Sequence, residues 1–234
     1  MKALTILFIL TSHSTMGSTG DETGLWLEEF TTPYYAFADA GYDIDIASIE
    51  GGAPPIDPRS LEGEDKPESI LRYEKDTALQ EALNNSVAIQ DVNASTYAAV
   101  IIPGGHGTMW DLPNNERLSD IISSTYQDGR VVAAVCHGPA GLIGPVNADG
   151  APIVKGKKVA GFTNAEEEAV ELTDVVPFLL EDKLIELGAH YQKGPDFEPF
   201  AIADGNLVTG QNPASSKKVA EFVIEILESK KGNE

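Results

Sequence analysis

The sequence carries a single cysteine, Cys136, in 234 residues. No intrachain disulfide can form, and zinc sites built from several cysteines are excluded. That usage suits a reducing compartment, so a cytoplasmic location is expected. Positive charge is also scarce. Lys and Arg number 16 against 37 Asp and Glu, for a formal charge of -21. Such a surface repels phosphate backbones and anionic membranes, which argues against nucleic-acid and membrane partners. No stretch approaches the roughly 20 consecutive apolar residues that cross a bilayer. Residues 1–10, one lysine and a short apolar run, imitate a signal peptide. Polar Thr11-Ser12-His13-Ser14 stands where a small-residue cleavage site would be needed, and a buried first strand is the preferred reading. Internal repeats are lacking as well.

What is present is ordinary for a globular chain: 42 % hydrophobic residues, enough for a sizeable core, and 23 % charged. The length fits one α/β domain with an insertion as readily as two small domains. Apolar runs predict strands over 2–10, 42–49, 98–102, 131–135, 158–160, 201–203 and 207–209. Helical spacing falls over 25–40, closed by Gly41, and over 77–83, 116–127 and 166–187, the last interrupted at Pro177. A closing helix is expected from about 213 to 227, with Asn212 as its N-cap. Residues 50–75, rich in Gly, Pro, Asp and Glu, read as a loop-rich insertion. Alternating strands and helices predict an α/β fold with a mostly parallel sheet covered on both faces, and chemistry at the carboxyl ends of its strands.

Two strand ends carry chemistry. The apolar run Val131-Val132-Ala133-Ala134-Val135 stops at Cys136-His137-Gly138-Pro139. A sharp turn into a helix there would set the sulfur at a helix N-terminus, where backbone N–H groups and the dipole stabilise a thiolate. The competing reading is an inert, buried cysteine, but the adjacent His137 supplies the base that a nucleophilic thiol needs. The run Ile101-Ile102 leads into Pro103-Gly104-Gly105-His106-Gly107, whose glycines let backbone N–H groups approach a ligand and face a developing oxyanion. His106 either lines that site or satisfies a loop carbonyl. Periodicity does not choose between Glu28 and Glu29, and Glu166, Glu167 and Glu168 read first as an acidic helix start.

Four motifs in order then carry a resemblance. They are Pro103-Gly104-Gly105-His106-Gly107, Ala133-Ala134-Val135-Cys136-His137-Gly138-Pro139, Gly161-Phe162-Thr163-Asn164 and Thr209-Gly210-Gln211-Asn212-Pro213-Ala214-Ser215-Ser216. Together they resemble the DJ-1/PfpI superfamily, related to type 1 glutamine amidotransferases, and within it the Hsp31-like glyoxalase III branch. The resemblance implies a single domain over 1–234 with a flavodoxin-like three-layer α/β/α sandwich and a homodimer. It also implies a reactive Cys136 with His137 beside it, an acidic third member falling on Glu167 and flanked by Glu166 and Glu168, and a helix-borne Glu29 touching the sulfur. Gly104, Gly105 and His106 fall on the oxyanion and substrate side. No cofactor and no metal are implied. The implied activity is that of a lyase converting methylglyoxal, a small α-oxoaldehyde, and water to D-lactate without glutathione, through a cysteine hemithioacetal. A holdase chaperone, a redox sensor, a peptidase or amidase, and a deglycase would use the same cysteine. One departure is informative. Glutamine amidotransferases carry a late His-Pro-Glu, whereas His190 here is followed by Tyr191-Gln192, which disfavours glutamine hydrolysis.

Overall fold

The computed structural model describes residues 4–63 and 66–231. In chain order the elements are β1 (Thr5–Leu10), α1 (Leu27–Asp39), β2 (Asp43–Ser48), α2 (Glu68–Tyr73), α3 (Thr77–Asn84), β3 (Val87–Ala88), β4 (Ala99–Ile102), α4 (Thr108–Asp111) and α5 (Glu116–Gln127). There follow β5 (Val131–Val135), β6 (Lys158–Val159), α6 (Asn164–Ala169), α7 (Leu180–Glu186), β7 (His190–Tyr191), β8 (Ala201–Asp204), β9 (Leu207–Gly210) and α8 (Ser216–Lys231). Among the described residues, seven strands form one sheet in the order β3-β2-β1-β4-β5-β9-β8. All pairs are parallel except the edge hairpin β8–β9. Helices cover both faces, which makes the three-layer α/β/α sandwich. Among the described residues, no helix is long and apolar enough to cross a membrane.

The uninterrupted apolar run at the N-terminus has a simple cause. Successive side chains of a strand point to opposite faces, and β1 is central, so both faces are buried. Ile6, Phe8 and Leu10 pack with Phe30 and Phe37 of α1 and Val223 and Leu227 of α8. Leu7 and Ile9 face the other way, toward Ile121 and Ile122 of α5. Phe8 meets Phe30 edge-on at 5.1 Å between centroids, the arrangement the ring quadrupole favours. Lys2 and Ala3 of the expected strand lie outside the described residues.

Several expectations are corrected. The helix expected over 166–187 is two, α6 and α7, separated by ten residues. The first is started by a capping box between Thr163 and Glu166 and stops where Glu171 adopts φ +60°, so the break comes well before Pro177. The strand at 158 does not join the main sheet but pairs with β7 in a separate two-stranded ribbon. The expected loop-rich segment over 50–75 carries α2 and a 3-10 turn at Pro58–Leu61. The segment after Cys136 is a five-residue 3-10 turn, Gly138–Leu142, instead of an α-helix. Asn212 does cap a helical start, but of a 3-10 turn, Pro213–Ser215, that leads into α8.

Candidate active site

The carboxyl ends of β4 and β5 and the N-terminus of α1 converge at one point, beside the place where the strand order reverses between β1 and β4. Open α/β sheets bind ligands at such a crevice. Cys136 follows β5 directly and adopts φ +61°, a conformation that a non-glycine residue holds only when its surroundings impose it. They do so from both sides. Its N–H donates to the Gly210 carbonyl of β9 at 3.0 Å, and its own carbonyl accepts from Phe162 N–H at 2.8 Å.

The turn aims the sulfur at three groups. Nδ1 of His137 lies 3.4 Å away, and the His137 N–H and the carboxyl of Glu29 stand near enough to act on the thiol. Nε2 of His137 donates to Oε2 of Glu167 at 2.7 Å, which leaves Nδ1 as the base facing the thiol. The Phe162 ring, 4.4 Å between centroids, packs on the imidazole. Glu167 has a second partner: Nε2 of His106 donates to its other oxygen, also at 2.7 Å. Nδ1 of His106 in turn accepts from the Arg59 guanidinium at 3.2 Å, and Arg59 is held by Asp57 through two further N–H donors at 2.9 and 2.6 Å. One carboxylate thus bridges two imidazoles and takes an N–H from each.

Of the three adjacent glutamates, Glu167 is the one that reaches the histidines. Glu168 is exposed, and Glu166 is buried and turned elsewhere. On α1, Glu28 is only partly buried while Glu29 is fully buried. Gly104 N–H donates to Oε2 of Glu29 at 2.7 Å, so that amide orients the carboxyl and is committed. Gly105, by contrast, faces the cavity, and its N–H has no acceptor among the described residues. It stands at φ +97°, and an added Cβ would come within 2.1 Å of the Gly24 carbonyl. Only glycine fits there.

Electrostatics corrects the expectation of a thiolate made by a helix dipole. Burial, then the charge of Glu29 and its hydrogen bond, push the Cys136 thiol well up. Burial likewise pushes the Glu29 carboxyl well up, against the hydrogen bonds it receives. Two acids in contact in a dry site do not both ionise, so the pair retains a proton at neutrality. The dipole has no α-helix to come from, because the elbow runs into a short 3-10 turn. Glu167 behaves oppositely: burial would raise it, but the neighbouring His137 and the hydrogen bonds from both histidines outweigh that and hold it well below the carboxylate range. Burial, reinforced by His137, holds His106 down near about 4, so its ring is neutral.

Above this polar floor lies a cavity of about 280 Å³, walled by Trp26, Phe162, Val170, Phe197 and Pro213, with Arg59 at its rim. Sequence reasoning missed Asp57, Arg59, Trp26 and Phe197. Asp57, Arg59 and Phe197 sit in segments without a period, and Trp26 stands at the N-cap of α1, where its residue type marks no site. His106, His137 and Glu167 also offer ligand atoms within 4.8 Å of one another, a grouping that sequence spacing did not reveal. Both Nε2 atoms are spent on Glu167, and holding an ion would require the rings to give up those hydrogens.

The DJ-1/PfpI family profile matches residues 22–229. The chain belongs to the DJ-1/PfpI family. It is 36 % identical over 236 residues to Glyoxalase 3 of Candida albicans, with 95 % of this chain and 98 % of that one covered. It is 34 % identical to a glutathione-independent glyoxalase of Saccharomyces cerevisiae, over 96 % of this chain and 98 % of that one. The crystal structure of glyoxalase III from Candida albicans superposes with a TM-score of 0.88 at 32 % identity, covering 95 % of this chain and 97 % of that chain.

Proposed function

We propose that this chain is a glutathione-independent glyoxalase that converts methylglyoxal and water to lactate. The observation that carries the reading is the sulfur of Cys136 set between an imidazole base at 3.4 Å and a buried carboxyl. The likeness to glyoxalases over nearly the whole chain supports it.

In the proposed sequence, Nδ1 of His137 takes the thiol proton as the sulfur attacks the aldehyde carbon, giving a hemithioacetal. Backbone N–H groups of Gly105 and His137 stabilise the oxygen on which charge develops. A proton leaves the former aldehyde carbon and one is delivered to the neighbouring carbonyl carbon, through an enediol, to give a lactoyl thioester. Glu29 and His137 carry these protons. Glu29 suits the task because burial keeps its proton available near neutral pH. Water then hydrolyses the thioester, releasing lactate and restoring the thiol. Glu167 holds the His137 ring in its working tautomer and stabilises the imidazolium formed at each transfer, a role supported by its hydrogen bond with Nε2.

The test is lactate production by purified protein from methylglyoxal with glutathione omitted. Turnover is expected, and Cys136→Ala abolishes it. Absence of lactate from protein with its thiol intact overturns the reading.

A further inference from the structure

The loop between β7 and β8 carries Phe197, and independent features single it out. Its φ is +59°, a conformation that a bulky side chain does not adopt unaided, and such outliers gather at functional sites. Its ring is 48 % exposed although it walls the catalytic cavity, standing edge-on to Phe162 at 6.3 Å. Its N–H is pinned to Oε1 of Glu166 at 2.8 Å.

Glu166 explains how the strained loop is kept. Its carboxylate is fully buried, and Oε1 also accepts from Gln211 Nε2 at 3.0 Å and Asn212 Nδ2 at 2.8 Å. Oε2 accepts from Thr163 N–H at 3.0 Å. A buried charge satisfied by four donors, and hydrogen-bonded to none of the groups that move protons, ties the loop to the end of β9 and to the start of α6. What that tie holds in place is an aromatic ring of the cavity wall.

The size of the space gives the ring its purpose. Methylglyoxal has five heavy atoms and, at about 10–15 Å³ of enclosed space per water-sized atom, takes up about 50–75 Å³. That is about a quarter of the 280 Å³ available. Its methyl group would leave the walls made by Trp26, Val170, Phe197 and Pro213 facing unfilled space, forfeiting their dispersion contacts. An aryl or branched alkyl group in place of the methyl fills it. Building on the glyoxalase reading, we infer that this site prefers α-oxoaldehydes bearing a large apolar substituent, and that Phe197, held by Glu166, is the residue that selects them.

The experiment compares initial-rate kcat/KM for phenylglyoxal and methylglyoxal in the wild type, Phe197→Ala and Glu166→Gln. The wild type is expected to favour phenylglyoxal at least tenfold, within the range that apolar pocket contacts supply. Phe197→Ala lowers that ratio at least tenfold, mainly through KM for phenylglyoxal. Glu166→Gln lowers it in the same direction, and the double variant has a ratio no lower than Phe197→Ala alone, because both act through one ring. Phe197 is half-exposed, so its truncation leaves the core intact and the ratio readable. Turnover of both substrates with a wild-type ratio near one, or a ratio unmoved by Phe197→Ala, overturns this inference and leaves the glyoxalase reading standing. Turnover of neither overturns the glyoxalase reading itself, and this inference with it.

Discussion

Glu167→Gln is the sharpest single perturbation, because the wild-type carboxylate accepts from two imidazoles at once, each at 2.7 Å. An amide of the same shape has one acceptor and one donor, so one ring loses its partner and faces an N–H instead. His106 is tied by Arg59, which donates to its Nδ1. The cheaper adjustment is for His137 to move its hydrogen to Nδ1, where it would face the sulfur and abolish the base. Misplacing that proton removes general-base catalysis, a loss of about 10²–10⁴-fold in kcat with little change in KM. Losing one charge-assisted hydrogen bond destabilises the fold by about 1.5–3 kcal/mol. The assay is glutathione-free lactate formation together with urea unfolding. A Glu167→Gln protein that retains activity within tenfold, while folded, refutes the tautomer argument.

Three further outcomes follow from the same geometry. Gly104→Ala places a Cβ 2.7 Å from both Oε2 of Glu29 and the His137 amide nitrogen, so activity measured by lactate release falls at least about 100-fold while the far-UV circular dichroism is retained. His106 is held near about 4 against an ordinary 6.5. The unfolded chain therefore binds the extra proton first, and stability measured by urea titration falls by about 3 kcal/mol as pH drops through that window; His106→Asn removes this loss. Glu29 has a raised carboxyl, so the folded state binds more protons than the unfolded one above the usual carboxylate range, and stability is lost as pH rises. Glu29→Gln removes that slope, so its Tm gains on the wild type as pH rises above the usual carboxylate range, while turnover falls about 10²–10⁴-fold.

The inner strands were legible because β1, β4 and β5 are buried on both faces and read as plain apolar runs, whereas β3 and β7, two residues each and partly exposed, left no such run. Cys136 and His137 stood out because such a run ends on them. The choice of Glu29 over Glu28 was beyond helical periodicity, since first-turn residues of α1 differ only in which one meets the end of β4. The state of the sulfur was misjudged for a related reason. Whether an α-helix or a 3-10 turn follows the elbow depends on packing of Gly138–Leu142 under β4, and sequence pattern does not register that. Arg59 and Asp57 were invisible because their segment has no period. Their role comes from a single long-range approach to His106.

The account rests on protons moving through Glu29 and His137 between the two carbons of the substrate, and the most direct measurement is the isotopic content of the product. Methylglyoxal turned over in deuterium oxide should give lactate with deuterium at C2, because carboxyl and imidazole hydrogens exchange with solvent. Lactate that keeps only the original aldehyde hydrogen at C2 would contradict proton transfer through solvent-exchanged Glu29 and His137.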